Sequence, residues 1–163
     1  FPYRSAGRRA PDRPAVLEAA LRDAAAELAR RTRLPTTRIV VGGRSMGGRY
    51  ASMVAAAVDD PLDVLGVLLL GYPLHPAGKP QQLRVEHFAR LRVPCLFVSG
   101  TRDNLAPRDE LTAATRAIRG KVTRHWLESA DHGFRPLKAS GRSSAEVLDE
   151  VARVTVGWVA SLA

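Results

Sequence analysis

The stretch that most constrains the fold is IVVGGRSMGGRYASMVAAAV, from Ile39 to Val58. Its apolar start is typical of a short buried strand, and the small residues that follow predict a helix from about Met46 to Val58. Between them lies one serine, Ser45, in the pattern G-x-S-x-G that runs from Gly43 to Gly47. A sharp turn of this kind holds a serine oxygen clear of the backbone at a helix N-terminus. We expect a side chain at Gly43 or Gly47 to collide where strand and helix pack.

A glycine-rich turn between a strand and a helix could also hold a phosphate group. The sequence GGRSMGG, however, is neither G-x-G-x-x-G nor a phosphate-binding loop that ends in Gly-Lys-Ser/Thr. The turn therefore favours a serine nucleophile over a nucleotide site, and it implies no cofactor.

Apolar runs alternate with helical patterns along the chain. We predict strands in RIVVGG, DVLGVLLLGYP, VPCLFVSG and VTRHWLE. We predict a first helix over Ala15–Arg31, which starts after Asp12 and Pro14, and another that includes Leu111 and Ile118 and ends at Gly120. A capping box at Ser143 and Glu146 predicts the start of the last helix. The stretch Pro73–Arg92 is irregular, with a short helix predicted at Val85–Leu91. This order predicts an α/β fold of three layers, α/β/α, with a mostly parallel sheet in one domain, 1–163.

Three polar residues follow the predicted strands. Ser45 comes after the first strand, Asp103 after the third and His132 after the fourth. The carboxyl ends of parallel strands meet at one edge of a sheet, where ligands and catalytic groups gather. A nucleophile, an acid and a base at that edge predict a catalytic triad.

Other residues could fill these roles. Asp109 is a rival acid, although its position favours the first turn of a helix. His125 lies within the last strand, and His75 and His87 lie in the irregular connection, where we expect them at the rim of a pocket at most. We expect Asp131, beside His132, to face solvent.

The segments GGRSMGG, LLLGYPLHPAGKP, PCLFVSGTRDNLAP and ADHGF resemble the α/β-hydrolase superfamily, especially its small dienelactone-hydrolase-like members. The initial FPYR resembles the segment after the family's fourth strand. One departure is that dienelactone hydrolase itself has a cysteine nucleophile, whereas this chain has Ser45. The resemblance implies a hydrolase of carboxylic esters, thioesters or lactones, with the Met46 N–H as an oxyanion donor.

The same resemblance leaves a second interpretation open, because the superfamily includes catalytically silent modules used for interaction. For an enzyme we expect a small ester-like substrate, with Arg44, Tyr72, His75 and Arg102 as candidate contacts, and no metal or cofactor. Arg44 and Arg102 would favour anionic acyl groups.

Composition and charge limit which binding partners and which cellular location we expect. The net charge is +9, but the arginines are scattered along the chain, so we expect no nucleic-acid partner. No apolar run is long enough to span a membrane, and we expect a cytoplasmic protein. Cys95, the single cysteine, lies in an apolar run and is predicted to be buried.

The predicted strands number four, whereas the superfamily fold has about eight. We therefore expect that the N-terminal strands are missing, together with the loop that supplies the second oxyanion donor. The strand at Ile39–Val41 would then be an open edge. We expect residues 1–163 alone to self-associate through this edge and to be nearly inactive.

Overall fold

The sheet is the centre of the structure, a computed structural model that describes residues 1–162. Its four strands lie side by side in chain order: β1 (Val40–Arg44), β2 (Gly66–Leu70), β3 (Cys95–Gly100) and β4 (Val122–Leu127). Every neighbouring pair is parallel. The predicted α/β class and parallel sheet are confirmed, and all four carboxyl ends lie at one edge.

Helices cover both faces of the sheet, which makes three layers. The helices are α1 (Pro2–Ser5), α2 (Pro14–Thr32), α3 (Met46–Ala55), α4 (Arg108–Ala114) and α5 (Ser144–Ala160). A core on one face joins α2, α3 and α4 to the sheet, and a second core on the other face joins α5 to β3 and β4. No helix within residues 1–162 is long and apolar enough to cross a membrane.

Local sequence explains several of these elements. Every residue of β3 is buried, as its continuous apolar run predicts. The thiol of Cys95 is fully buried within it, as predicted. The capping box before α5 is present, because the Ser143 hydroxyl accepts from the Glu146 N–H and the Glu146 carboxylate accepts from the Ser143 N–H.

Several predicted boundaries were wrong. Helix α3 ends at Ala55, before Val58. Helix α4 ends at Ala114 and passes into a 3₁₀ turn, Thr115–Ala117, so Gly120 does not cap it. The short helix expected at Val85–Leu91 is a single 3₁₀ turn, Phe88–Arg90.

The first residues of the chain form the helical turn α1. Tyr3 is buried, and its N–H donates to the Asp12 carboxylate at 2.9 Å. The Phe1 ring meets the Tyr50 ring of α3 edge-on, with centroids 6.3 Å apart. Asp12 is therefore engaged with α1, and α2 starts without a side-chain cap, with Pro14 in its first turn.

Candidate active site

Ser45 occupies a strained turn between β1 and α3. Its φ of 51° and ψ of −117° lie outside the regions that non-glycine residues ordinarily adopt. Its N–H donates to the Leu70 carbonyl at the end of β2, at 2.8 Å. This bond holds the strained backbone in place, and the side chain stays partly exposed at the carboxyl edge of the sheet.

The glycines around Ser45 let β1 and α3 approach closely. A Cβ at Gly43 would lie 2.9 Å from the Gly47 carbonyl carbon, and one at Gly48 would lie 2.6 Å from the Gly43 oxygen. A Cβ at Gly47 would meet only the Phe1 ring, at 4.0 Å. The expected collision is therefore present at Gly43 and absent at Gly47, and Gly48 is the second residue that must be small.

The side chains of Ser45, His132 and Asp103 form one hydrogen-bonded chain. His132 Nε2 lies 2.9 Å from Ser45 Oγ, and His132 Nδ1 lies 2.8 Å from Asp103 Oδ2. Asp103 is buried, and its other oxygen accepts the Leu105 N–H at 2.9 Å. An ionised carboxylate can only accept, so Nδ1 carries the hydrogen and the Nε2 lone pair faces the serine hydroxyl.

The N-terminus of α3 adds donors beside Ser45. Met46 is the first residue of α3, so its N–H has no carbonyl partner inside the helix. The helix dipole also favours negative charge at this end. If the oxygen of a carbonyl group next to Ser45 Oγ became negatively charged, these N–H groups and the helix dipole would therefore stabilise it.

A tight loop after β4 presents His132. Asp131 Oδ1 accepts the N–H groups of Gly133 at 2.7 Å and of Arg135 at 3.0 Å. Phe134 has a positive φ of 62° and is buried. Asp131 is partly exposed, in line with the expectation that it faces solvent, and its carboxylate also closes the loop around His132.

Gly100, the last residue of β3, allows this loop to approach the sheet. A Cβ at Gly100 would lie 2.2 Å from the Ala130 carbonyl oxygen, which leaves no room for a side chain. The Arg102 N–H also donates to that oxygen, at 2.9 Å. This close approach brings the loop of His132 beside Asp103.

The rival residues lie elsewhere. Asp109 is exposed in the first turn of α4, as expected. His125 lies in β4 with Nε2 2.6 Å from the Glu150 carboxylate. His87 is buried beside Ser52 and not at a pocket rim, which corrects that expectation.

The two candidate arginines have partners within the protein. Arg44 is exposed, and its guanidinium carbon lies 5.6 Å from the centre of the Phe134 ring, within the range of a cation–π contact. Arg102 is exposed, with Nη1 3.5 Å from the Ser129 carbonyl oxygen. Both cations flank the chain of hydrogen bonds, since Arg44 precedes Ser45 and Arg102 precedes Asp103.

The other two substrate candidates are in the core. Tyr72 is fully buried, and its hydroxyl donates to the Arg84 carbonyl at 2.5 Å. Burial raises the pKa of the Tyr72 phenol. His75 is buried, with Nδ1 2.9 Å from the Pro76 carbonyl oxygen. Neither side chain presents a face to solvent, so the structure does not support their expected contact with substrate.

The same part of the chain, residues 1–162, contains no group of three or more histidine, cysteine, aspartate or glutamate side chains arranged to hold a metal ion.

A parallel sheet between helical layers, with a strained serine on a strand-to-helix turn at its carboxyl edge, defines the α/β-hydrolase class. The sequence supports the same assignment, because a family model described as "Alpha/beta hydrolase domain" matches residues 1–160. The chain belongs to this family.

Solved structures share the fold. An alpha-beta serine hydrolase homologue from Coxiella burnetii matches with a TM-score of 0.63 and 18% identity, covering 90% of this chain and 62% of that one. The esterase domain of a Rhodothermus marinus protein gives 0.62 and 19%, covering 86% and 66%. The apo form of Thermogutta terrifontis esterase 2 gives 0.66 and 17%, covering 90% and 63%. The chain thus spans 62 to 66% of the length of these proteins.

Proposed function

We propose that this chain is a serine hydrolase that cleaves ester-like bonds through a triad of Ser45, His132 and Asp103. The observation that carries the proposal is the continuous hydrogen bonding from Ser45 Oγ through both His132 nitrogens to the buried Asp103 carboxylate. The strained backbone of Ser45 supports it, since strain of this kind persists where the surroundings enforce it and clusters at active sites.

Acylation would start with attack of Ser45 Oγ on the carbonyl carbon of the substrate. His132 Nε2 takes the hydroxyl proton as the C–O bond forms, and Asp103 stabilises the resulting imidazolium. The carbonyl oxygen becomes an oxyanion beside the Met46 N–H. His132 then returns the proton to the leaving group as its bond to the carbonyl carbon breaks, which leaves Ser45 acylated.

Deacylation would repeat these steps with water. His132 Nε2 takes a proton from water as the water oxygen attacks the acyl carbon. The oxyanion forms again beside Met46, and the proton passes to Ser45 Oγ as the ester bond to serine breaks. The acid product leaves, and no metal or cofactor takes part in this scheme.

The proposed substrates are small carboxylic esters, thioesters or lactones. The names of the structural neighbours support this class, because two of them are an esterase and an esterase domain. A place among the dienelactone-hydrolase-like members is part of the proposal, and it rests on the sequence segments that resemble them. Since Ser45 replaces the cysteine of dienelactone hydrolase, we propose ordinary esters before dienelactones as the first substrates to assay.

Activity-based labelling tests the proposal directly. The structural neighbour Thermogutta terrifontis esterase 2 is phosphonylated by sarin, so a fluorophosphonate probe is a suitable reagent. Because residues 1–163 alone are expected to be nearly inactive, we expect slow labelling of the wild-type chain. Ser45→Ala should show none, and the control Ser5→Ala, whose serine is exposed in α1, should be labelled as the wild type is. Absence of labelling in the wild-type protein would favour a silent interaction module instead. Labelling that persists in Ser45→Ala would show that another serine is the nucleophile.

A further part of the proposal concerns Arg44 and the acyl group of the substrate. Its guanidinium is exposed next to Ser45, so it would attract a carboxylate carried by the substrate. Because it also contacts Phe134, we expect only a small preference for anionic esters. The measurement is the ratio of kcat/KM for a carboxylate-bearing ester to that for its neutral analogue. Arg44→Ala should lower the ratio, and an unchanged ratio would remove Arg44 from substrate recognition.

A further inference from the structure

One cavity of the structure lies away from Ser45, at the other end of the strands. Its volume is about 610 Å³, within the range of sites for small organic ligands. Leu62 and Asp63 precede β2, Val93 precedes β3, and Arg119 precedes β4, so the cavity lies at the amino ends of the strands. The Ser45 site lies at the carboxyl ends of the same strands, so the two sites are at opposite ends of the sheet.

Two groups of residues line the cavity, and we call the apolar group its floor and the charged group its rim. Its floor consists mainly of small and aliphatic side chains from the end of α3 and from two connections: Ala55, Ala57, Val58, Leu62, Ala89 and Val93. The rim carries Arg90, Arg92, Arg119 and one carboxylate, Asp63. Within residues 1–162, none of these four side chains forms an ion pair. The rim therefore keeps an excess of positive charge.

Two of the arginines are neighbours whose side chains face the cavity. The N–H groups of Arg119 and Gly120 both donate to the Leu91 carbonyl at 3.0 Å, which places Arg119 beside Arg92. Arg90 has a different role, because its Nε donates at 2.9 Å to the Ala56 carbonyl, at the C-terminal end of α3. Arg90 thus secures the floor, while Arg92 and Arg119 have their guanidinium groups available for a ligand.

We propose that this cavity binds an amphipathic monoanion, a carboxylate with a medium-length alkyl chain. The guanidinium groups of Arg92 and Arg119 hold the carboxylate, since the planar donors of arginine match carboxylate oxygens. The alkyl chain lies on the apolar floor and is removed from water there. Arg92, Arg119 and Asp63 together carry a net charge of +1, which one carboxylate neutralises.

Calorimetric titration of the whole chain with decanoate, below its micelle concentration, tests this site. We expect saturable binding of one decanoate per chain, with much weaker binding of decanol, which lacks the charge, and of acetate, which lacks the chain. Arg92→Gln combined with Arg119→Gln should weaken decanoate binding about tenfold or more. The control Arg116→Gln removes an equally exposed charge from the same connection outside the cavity and should leave binding unchanged.

A second variant addresses the floor. Val58 is 73% exposed, so Val58→Asp should fold normally while placing a charge where the alkyl chain lies, and it should also weaken binding. The proposal is overturned if decanoate shows no saturable binding, if decanol binds as tightly, or if the arginine pair behaves like Arg116→Gln. Binding to anionic phospholipid vesicles without binding of free decanoate would also overturn it, in favour of a membrane surface.

The proposal of a carboxylate site in the cavity rests on different residues from the proposed hydrolase reaction, so experiments can reject either one alone. Ser45→Ala removes the proposed nucleophile at the other end of the sheet, and it should bind decanoate as the wild-type protein does. Loss of decanoate binding in Ser45→Ala, with binding retained in the arginine variants, would assign the ligand to the Ser45 site as a product. Failure of probe labelling would leave the cavity site untouched.

Discussion

At the scale of single residues, Asp131 shows how a side chain outside the proposed triad positions it. Its carboxylate oxygen accepts two backbone N–H groups, one on Gly133 and one on Arg135, and these bonds bracket His132. The loop also contains two non-glycine residues with positive φ, Ser129 and Phe134. Hydrogen bonds to a charged acceptor are among the stronger ones, so Asp131 offsets part of that strain.

We therefore predict that Asp131→Ala lowers kcat on a small ester more than it changes KM. A displacement of His132 by about 1 Å is enough to cost on the order of 100-fold in rate. Asp131→Asn should keep most of the activity, because its amide oxygen can accept the same two N–H groups. Steady-state kinetics of the two variants provide the comparison. Equal losses in both would contradict a positioning role and would point to the negative charge itself.

The same loop shows what sequence can and cannot predict about a site. Ser45, Asp103 and His132 follow predicted strand ends, so their identity and order were enough to predict that they meet. The role of Asp131 depends on a three-dimensional turn, and an acid next to a histidine carries no signal of that turn. Tyr72 was predicted as a candidate substrate contact, but its ring is buried against Phe88 and Phe97.

At the scale of elements, a buried polar contact joins α3 to the connection before β3. The Ser52 hydroxyl donates to the Arg49 carbonyl at 2.7 Å, so it accepts from His87 Nε2 at 2.8 Å. Both side chains are buried. Burial, with a smaller contribution from the positive charge of Arg49, lowers the pKa of His87 to about 4. The neutral imidazole is therefore the form that suits the fold.

This shift predicts a loss of stability in mild acid. An unfolded histidine titrates near pH ~6.5 and binds a proton that folded His87 rejects until about pH 4. The contribution of neutral His87 to the free energy of unfolding is complete above about pH 6.5 and is lost as the pH falls towards 4. The loss amounts to roughly 3 kcal/mol at most. Urea unfolding of dilute protein across this range measures the free energy of unfolding at each pH.

Two variants separate His87 from the carboxylates that titrate in the same range. His87→Gln keeps a neutral donor towards Ser52 and should flatten the acid loss. The control Gln82→Ala changes an exposed, uncharged side chain in the same connection, and it should keep the wild-type dependence. An equal acid loss in His87→Gln and the wild-type protein would show that His87 is not its source.

Element boundaries were harder to predict than element types. All four strands and the long helices were predicted, because their apolar patterns are continuous. The end of α3 at Ala55 was not, since Ala56 to Val58 continue the apolar pattern although the backbone turns. The helical turn α1 was also missed, because it depends on the contact of Phe1 and Tyr3 with Tyr50, which is distant in sequence.

At the scale of the whole molecule, β1 forms an open edge of the sheet. Ile39 O accepts from Leu65 N, and Ser45 N donates to Leu70 O, so the odd-numbered residues of this segment face β2. By alternation, the N–H and C=O groups of Val40, Gly42 and Arg44 point away from the sheet. The strand order, which ends at β1, matches the predicted open edge.

An apolar groove runs beside this edge. It has a volume of about 180 Å³ and is lined by side chains of α2 and of β1 with the residue before it, including Leu21, Leu28, Ile39 and Val40. Leu28 is 45% exposed. Unpaired backbone groups beside exposed apolar side chains are a template for another strand, and a second copy of the chain supplies one.

We predict that residues 1–163 self-associate through this edge, with a mass that rises with concentration in light scattering. Val40→Pro should shift the protein towards monomer, because it removes an outward N–H and no bond to β2. Ile39 already has the extended backbone that precedes proline, with φ −111° and ψ 134°, so the substitution suits the fold. The control Leu148→Glu adds charge to an exposed leucine on α5, on the other face, and should leave association unchanged. A wild-type chain that is monomeric at every concentration, or a Val40→Pro chain that associates as the wild type does, would contradict pairing at β1.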